Sequence, residues 1–225
     1  MAKLYLVRHG QASFGADDYD KLSELGVMQS TYIPHHFTDE IRSHLSVWHG
    51  TMQRQRDTAM TAFPDAKPVV TAGLNEFDHM NVLAVHQPAI HDRERMTAII
   101  MEQSDPRAFM EREFRTAMSK WMQEEGDTSY HESFRDFRSR VRDTMSDIMA
   151  AARRDAHKHV VAVTSGGVIS LYMTMLLDMP EIRMADLNQH VVNTSITSLL
   201  FNDKRSTLSY YNNYSHLPSD MVTFI

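Results

Sequence analysis

The sequence predicts an α/β protein, a three-layer sandwich in which a mostly parallel sheet lies between layers of helices. Short uncharged apolar runs, such as residues 4–7 and 45–48, are each followed by a polar loop and then by a stretch with helical spacing. Between residues 91 and 152 the apolar side chains keep helical spacing alone, which predicts a helical insertion or cap. Alternating elements interrupted by helices fit the three-layer class best.

The first half of the chain predicts two strand-loop-helix units and a further strand. Pro34 should end or kink the first helix and Pro64 should stop the second, because proline removes a hydrogen bond and clashes inside a helix. The predicted elements are a strand at 4–7, a helix opened by Ser23 and Glu24, a strand at 45–48, a helix at 53–63 and a strand at 68–71.

The second half predicts two long helices followed by a return to alternating elements. Gly126 and Asp127 mark the break between the long helices, and Ser133 with Asp136 resembles a capping box that opens the second. The elements that follow are a strand at 159–164, a helix at 167–177, and strands at 194–201 and 208–211. We expect a single domain over residues 1–225, with the helical insertion at about 78–133.

Composition excludes several classes of function. The formal charge of −6 provides no basic field for nucleic acid or anionic lipid, so any anion site must be local. The absence of cysteine removes disulfides, thiolate nucleophiles and cysteine-ligated zinc. The uncharged stretch 160–177 is interrupted by Thr164 to Gly167, which indicates a strand, a turn and a helix rather than a membrane span. The N-terminus lacks a secretory pattern, and we expect a cytoplasmic location.

The triplet Arg8-His9-Gly10 is the sharpest chemical feature, because it follows directly on a strand that is expected to be buried on both faces. An imidazole can attack phosphorus, while an adjacent guanidinium holds phosphate oxygens in a bidentate manner. In open α/β sheets such chemistry is expected at the carboxyl ends of the strands. The triplet alone is a short pattern that also occurs by chance.

Further motifs in order along the chain strengthen this interpretation. Together they resemble the histidine phosphatase superfamily, also called the phosphoglycerate mutase-like family. The matching stretches are Leu-Val-Arg-His-Gly-Gln-Ala-Ser at 6–13, Leu-Ser-Glu-Leu-Gly at 22–26 with Gln29, Arg-Gln-Arg-Asp-Thr-Ala at 54–59, Leu-Asn-Glu at 74–76, Val-Ala-Val-Thr-Ser-Gly-Gly-Val-Ile at 161–169, and Val-Asn-Thr-Ser-Ile at 192–196.

The resemblance implies a role for each matched position. His9 would be the nucleophile that becomes phosphorylated, Arg8 and Arg54 would bind the phosphate, and Glu76 would donate a proton to the leaving oxygen. The chemistry agrees, since arginine stays charged beside a dianion and a carboxyl can act as a general acid. Arg56 competes for the second arginine role, but a helix turns it roughly 200° away from Arg54.

Two departures from the family pattern bear on activity. The usual second active-site histidine is replaced by Ser165, which with Gly166 can still donate hydrogen bonds to a phosphate but cannot supply charge. His79 is the candidate auxiliary, ahead of the other two histidines considered, His131 and His190. In the first loop, Gly15 stands where many members carry a phosphate-contacting asparagine, so Ser13 or the local backbone would make that contact. Ser165, Gly166 and Ser13 therefore join Arg8 and Arg54 as the expected phosphate-binding residues.

No metal or other cofactor is expected, because the scattered histidines match no recognisable ligand spacing. The leading hypothesis is a phosphomonoester hydrolase with a phosphohistidine intermediate. A weakly active or inactive module that binds a phosphorylated ligand or a protein is the first alternative, and a phosphomutase is the second. The substrate is expected to be a phosphorylated small molecule or a phosphoprotein, and the sequence does not fix its identity or the oligomeric state.

Overall fold

A computed structural model describes residues 1–13, 20–124 and 129–224. Its strands are β1 (Ala2–Arg8), β2 (Leu45–His49), β3 (Val69–Val70), β4 (His159–Thr164), β5 (Ile196–Phe201) and β6 (Ser206–Asn213). Its α-helices are α1 (Glu24–Tyr32), α2 (Asp39–Arg42), α3 (Gln53–Ala62), α4 (His79–His86), α5 (Arg93–Met101), α6 (Pro106–Gln123), α7 (Phe134–Arg154), α8 (Gly166–Leu176) and α9 (Arg183–Asn188).

The strands form one sheet in the order β3-β2-β4-β1-β5-β6. The neighbours β3 and β2, β2 and β4, and β4 and β1 run parallel, whereas β5 and β6 are antiparallel additions at one side. The predicted α/β class with a mostly parallel central sheet is therefore confirmed. The carboxyl ends of β1, β2 and β4 meet at one edge, where parallel strands bring their following loops together.

Alternate residues of β1 face two different cores. Leu4 and Leu6 lie in the larger core, which β1 shares with α7 and α8, while Tyr5 and Val7 lie in a smaller core beneath α3. The same alternation divides β4, whose residues 160–163 are all fully buried. A central strand buried on both faces reads as a continuous apolar run, which is why the sequence marked β1 and β4 clearly.

The predicted helices at 53–63 and 167–177 are confirmed by α3 and α8, each directly after a strand. Pro34 lies inside a 3₁₀ turn, Ile33–His36, that follows α1, so the first helix ends there as expected. Ser133 caps α7: its hydroxyl accepts a hydrogen bond from the backbone N–H of Asp136 at 3.1 Å and donates to the Asp136 carboxylate at 2.7 Å, so the N-cap half of the predicted capping box is confirmed. Within the described residues no helix is long and apolar enough to cross a membrane.

Three helices, α4, α5 and α6, occupy most of the region where the insertion was predicted, and α4 packs against α6. The expectation of two long helices between residues 91 and 152 holds for α6 and α7, and α5 is present in addition. The predicted break at Gly126 and Asp127 lies outside the described residues, as does Gly15. The boundaries of the domain and its insertion stay predictions.

Candidate active site

The backbone of the loop after β1 forms hydrogen bonds with three separate parts of the chain. The N–H of His9 donates to the carbonyl of Thr164 at 2.9 Å, and the N–H of Gly10 donates to the Thr58 hydroxyl at 2.9 Å. The side-chain amide of Asn193 donates to the carbonyl of His9 at 3.2 Å. Because β4, α3 and the entry to β5 each supply one bond, the position of His9 is fixed by distant parts of the chain.

The imidazole of His9 is buried and has one defined tautomer. Its Nδ1–H donates to the carbonyl of Gly10 at 2.7 Å, since a carbonyl can only accept. Its Nε2 therefore carries the lone pair and accepts a hydrogen bond from Nε of Arg54 at 3.1 Å. Burial and the positive charges of Arg54 and Arg8 lower the pKa of His9 well below its ordinary value. The ring is neutral at neutral pH.

Arg54, in the first turn of α3, is almost fully buried. Its Nη1 lies 2.7 Å from a carboxylate oxygen of Asp20, whose other oxygen accepts from the backbone N–H of Gln53 at 2.7 Å. Asp20 thus fixes both the guanidinium and the start of α3. Arg56 points elsewhere: its side chain is 56% exposed and forms an ion pair with Asp57.

Arg8 extends from the end of β1 toward the C-terminal segment, residues 214–224. Its Nη1 donates to the carbonyls of Val191 and Phe224, the second at 2.7 Å. Its Nε would lie 3.6 Å from a Cβ placed on Gly166, so the guanidinium lies beside the N-terminus of α8. The C-terminal segment is held in turn by a bond from the Asn193 N–H to the carbonyl of Thr223 at 2.9 Å.

Glu76 follows a 3₁₀ turn, Ala72–Leu74, that leads away from β3. One carboxylate oxygen accepts from the backbone N–H of Gly167 at 2.9 Å, and the other accepts from the N–H of Phe77 at 3.2 Å. A Cβ on Gly167 would lie 2.2 Å from Glu76 Oε1, so the carboxylate can approach α8 only because residue 167 is glycine. The Gly167 amide is therefore bound to Glu76.

Ser165 precedes the first residue of α8 and is fully buried. Its hydroxyl accepts a hydrogen bond from Nε2 of Gln55 at 2.8 Å, and the same Gln55 nitrogen donates to the carbonyl of Leu74 at 2.9 Å. Ser165 is therefore joined to α3 and to the turn before Glu76 by a neutral hydrogen bond. Gly166 lies between Asn188 and Arg8, with 2.2 Å between the Asn188 Oδ1 atom and a Cβ built on it.

His79, one of the three histidines considered as replacements for the missing one, interacts electrostatically with two residues of the candidate site. It opens α4, and burial lowers its pKa, while the negative charges of Glu76 and Asp78 act in the opposite sense and the charge of Arg54 lowers it further. Because the charges of both Glu76 and Arg54 act on the His79 imidazole, we group His79 with these two residues of the candidate site. His131 is exposed and pairs with Asp78 at 2.9 Å, and His190 is an exposed residue after α9.

Ser13 is half-buried in the loop after β1, where its backbone N–H donates to the carbonyl of Lys21 at 2.8 Å. No group of three or more histidine, aspartate or glutamate side chains suited to a metal ion occurs among the described residues. The contacts thus join Arg54 to His9, Arg8 to Gly166 and Glu76 to Gly167, at the expected edge of the sheet.

Sequence reasoning missed four residues of this cluster. Gln55 and Thr58 lie inside the second arginine motif and Asn193 lies inside the motif at 192–196, but none of them was given a role. Asp20 stands in no motif, and its bond to Arg54 joins two loops. Polar residues flanking the matched positions were the available signal for the first three.

A model of one protein family matches residues 4–214 of the chain, and its description is histidine phosphatase superfamily, branch 1. The chain belongs to this superfamily. Solved structures share the fold of this chain over nearly its whole length, although no curated protein sequence matches it significantly.

Three of these structures illustrate the range. A mutant phosphoserine phosphatase from Entamoeba histolytica in complex with phosphoserine has a TM-score of 0.67 at 18% identity, covering 97% of this chain and 100% of that one. A phosphoglycerate mutase from Bacillus anthracis str. Sterne has a TM-score of 0.64 at 17% identity, with coverages of 96% and 94%. A mycobacterial glucosyl-3-phosphoglycerate phosphatase has a TM-score of 0.62 at 21% identity, with coverages of 94% and 99%. At these identities the likeness establishes the fold of this chain.

Proposed function

We propose that this protein is a phosphomonoester hydrolase that works through a phosphohistidine at His9. The supporting observation is the state of the His9 ring. Its Nδ1–H is bound to the carbonyl of Gly10, and its Nε2 lone pair is directed at the Arg54 guanidinium. A neutral imidazole with a fixed tautomer, beside a group that binds phosphate oxygens, is prepared for attack on phosphorus.

The first chemical step forms a bond from His9 Nε2 to phosphorus and breaks the bond from phosphorus to the ester oxygen. Glu76, in its protonated form, gives its proton to that leaving oxygen. In the second step the Glu76 carboxylate takes a proton from water, the water oxygen bonds to phosphorus, and the nitrogen–phosphorus bond breaks. Inorganic phosphate leaves, and both side chains return to their starting states.

Arg8 and Arg54 would bind the phosphoryl oxygens, with Ser165, Gly166 and Ser13 as further candidate donors. Arg54 now donates to the nucleophile itself at 3.1 Å, so substrate binding would transfer that hydrogen bond to a phosphate oxygen and release the Nε2 lone pair. Asp20 would keep the guanidinium plane in place during this exchange, because it binds a different nitrogen of Arg54.

We further propose that Ser165 stands where the family carries its second histidine, and that His79 supplies part of the missing stabilisation. Ser165 is fully buried and its hydroxyl is bound to Gln55. Because this hydroxyl is neutral, it adds no positive charge to the site. His79 interacts electrostatically with Glu76 and Arg54, which supports a role for it beside them. Its lowered pKa means that it would act mainly as a neutral donor.

A binding module without turnover is the second candidate. Two observations favour it: the Ser165 hydroxyl is engaged by Gln55, and the expected phosphate-binding arginines are each bonded to protein acceptors, Asp20 for Arg54 and two main-chain carbonyls for Arg8. Phosphate would have to displace or share these bonds.

The substrate is proposed to be a phosphorylated small molecule, with a phosphoprotein as the remaining alternative. The structural neighbours named above include phosphatases for phosphoserine and glucosyl-3-phosphoglycerate. Helix α4 begins three residues after Glu76 and packs on α6, so the insertion would lie over the leaving group and select it. A cytoplasmic location remains a prediction.

The decisive experiment compares the wild type, His9→Ala and Ser165→His on an aryl phosphate and a panel of metabolite phosphates without added metal. We expect turnover and a rapidly formed, acid-labile phosphoryl label in the wild type, both lost in His9→Ala prepared in the same way. Ser165→His should raise the rate if the missing charge limits it. Full activity in His9→Ala would overturn the mechanism.

The alternatives predict different results in the same experiment. A wild type that binds phosphate without hydrolysis, beside an active Ser165→His, would establish the binding module. A phosphomutase would instead show isomerisation of phosphoglycerate in the presence of its bisphosphate.

A further inference from the structure

Arg140 lies in the first half of α7, away from the motifs that define the candidate site, and forms a bidentate ion pair with Glu132. Its Nε lies 2.7 Å from one Glu132 oxygen and its Nη2 lies 2.7 Å from the other. Only about a quarter of each side chain is exposed, at 24% and 25%. Two parallel hydrogen bonds at this burial hold the guanidinium plane in one orientation.

The third nitrogen of Arg140 faces the segment that carries Glu76. Nη1 donates to the carbonyl of Asn75 at 2.9 Å and to that of Gly73 at 3.1 Å, with the Ala72 carbonyl at 3.4 Å. The Asn75 carbonyl belongs to the peptide that joins Asn75 to Glu76. Arg140 therefore binds the main chain directly before the expected general acid.

The remaining carbonyl of this turn is bound from the opposite side. The Leu74 carbonyl accepts from the Thr164 hydroxyl at 2.6 Å and from Gln55 Nε2 at 2.9 Å. The carbonyls at 73 and 75 are thus held by Arg140, while the one between them is held from the sheet and α3. Residues 73–75 are therefore held by Arg140 on one side and by Thr164 and Gln55 on the other. These contacts fix the orientation of the backbone at Glu76.

Arg140 is itself anchored independently of the active site. The Trp121 indole N–H, on α6, donates to the Glu132 carbonyl at 2.9 Å, and Trp121 is 1% exposed. The guanidinium carbon lies 5.1 Å from the centre of the Phe137 ring, a cation–π contact. The pair therefore transmits the position of α6 and α7 to the turn before Glu76.

We propose that Arg140, held in place by Glu132, is a positioning residue for Glu76. The inference rests on the proposed function, in which Glu76 protonates the leaving oxygen. A general acid must lie within hydrogen-bond reach of that oxygen, and a misplacement of about 1 Å can cost about a hundredfold in rate. Loss of Arg140 affects the proton transfer to the leaving group and leaves the phosphate-binding groups in place.

The test compares two substrates that differ in their need for an acid. An alkyl phosphate has a poor leaving group that requires protonation. The leaving group of p-nitrophenyl phosphate is p-nitrophenolate, which is stable as an anion and needs no proton. We expect Arg140→Met to lower kcat about 10- to 100-fold on the alkyl phosphate and less than about threefold on the aryl phosphate, with little change in KM for either. Arg140→Lys should give an intermediate loss, because an ammonium group cannot form the bidentate pair while binding both carbonyls.

Arg138→Met is the matched control. Arg138 lies two residues earlier on α7 and pairs with Glu181, with 44% of its side chain exposed. Its replacement should leave both rates unchanged. In a Glu76→Gln background, Arg140→Met should add no further loss, since both changes act on one step. Equal losses on both substrates, or a full additional loss in that background, would overturn the positioning role.

A second measurement needs no turnover. The Gly167 N–H donates to the Glu76 carboxylate at 2.9 Å, so its amide chemical shift reports whether that contact is kept. We expect the Gly167 amide resonance to move in Arg140→Met and to stay at the wild-type position in Arg138→Met. An unchanged Gly167 resonance in Arg140→Met would overturn the inference even in an inactive protein. An absent His9 label together with a displaced Gly167 resonance would overturn the hydrolase proposal alone.

Discussion

The dipeptide His-Gly occurs at the carboxyl ends of two strands, and the two copies differ in their surroundings. His9 Nδ1–H donates to the Gly10 carbonyl at 2.7 Å, and His49 Nδ1–H donates to the Gly50 carbonyl at 2.6 Å. Both rings are buried, with 6% and 4% exposure. Sequence, tautomer and burial are shared, yet within the described residues only His9 has an arginine at Nε2.

The strand register explains the difference. Val163 of β4 pairs with Val7 on one side and with His49 on the other, so His9 lies two residues farther along than His49. His49 is therefore level with the core, whereas His9 has passed the end of the sheet and faces the first turn of α3. The strand register thus brings the imidazole of His9, and not that of His49, to Arg54 at the start of α3, which makes His9 the candidate nucleophile.

The largest expected effect separates the two histidines directly. Asparagine places an amide N–H near the position of Nδ1 but has no Nε2, so His9→Asn and His49→Asn both retain the carbonyl bond. We expect kcat to fall at least about 10⁴-fold in His9→Asn and less than about threefold in His49→Asn. Steady-state hydrolysis and phosphoryl labelling measure the contrast. Equal losses would show that the nucleophile has been misidentified.

The next effect tests the charge that distinguishes His9. Arg54→Met should lower kcat/KM about 10²- to 10³-fold, because it removes a donor to the transferring phosphoryl group. It should also raise the pKa of His9 toward the ordinary value, since Arg54 is one of the groups that lower it after burial. The reaction needs the neutral ring, so the acid limb of the pH profile should move to higher pH.

Arg56→Met is the control, because that exposed side chain pairs with Asp57.

The free energy of unfolding should depend on pH in the same direction as the activity does, with both falling at acidic pH. A histidine whose pKa is lowered by folding binds fewer protons in the native state, so stability is present above about pH 6.5 and falls as pH drops toward the folded pKa. Arg54→Met should narrow the pH range over which this stability is lost, because it raises the folded pKa of His9 toward the unfolded value. An NMR titration of His9 in Arg54→Met that matches the wild type would contradict this electrostatic account.

The smallest effect concerns the two glycines. A Cβ on Gly10 would lie 2.4 Å from the backbone oxygen of Gly26, whereas one on Gly50 would first meet the side-chain oxygen of Gln55 at 1.8 Å. Backbone cannot move aside as a side chain can. We expect Gly10→Ala to cost about 3 kcal/mol of unfolding free energy and Gly50→Ala about 1 kcal/mol, measured by urea denaturation. Equal costs would place both glycines in equally rigid surroundings.

Much of the sheet could be predicted from the sequence because its central strands are buried on both faces. The runs at 4–7 and 160–163 are uninterrupted and apolar, and each ends at polar residues that open a loop. Helices α2 and α9, with four and six residues, were missed because they are too short to establish a period. The fold follows from local patterns of sufficient length.

The candidate site was predictable where the residues stand in motifs. His9, Arg54 and Glu76 were named from the sequence, and the structure gathers them at one edge of the sheet. The bond from Asp20 to Arg54 and the contact of Arg140 with the turn at 73–75 were not foreseen. Such contacts join segments distant in sequence through single hydrogen bonds, and no periodicity or spacing encodes them.

The position of β1 in the middle of the sheet has a consequence for biosynthesis. Both of its neighbours come late: β4 begins at His159 and β5 at Ile196. At the usual rates of translation, about ten to thirty seconds pass between the synthesis of His9 and that of Thr164, which holds its backbone. Until both arrive, the first strand lacks its two neighbours in the sheet, so the nascent chain cannot complete the backbone bonds that fix His9.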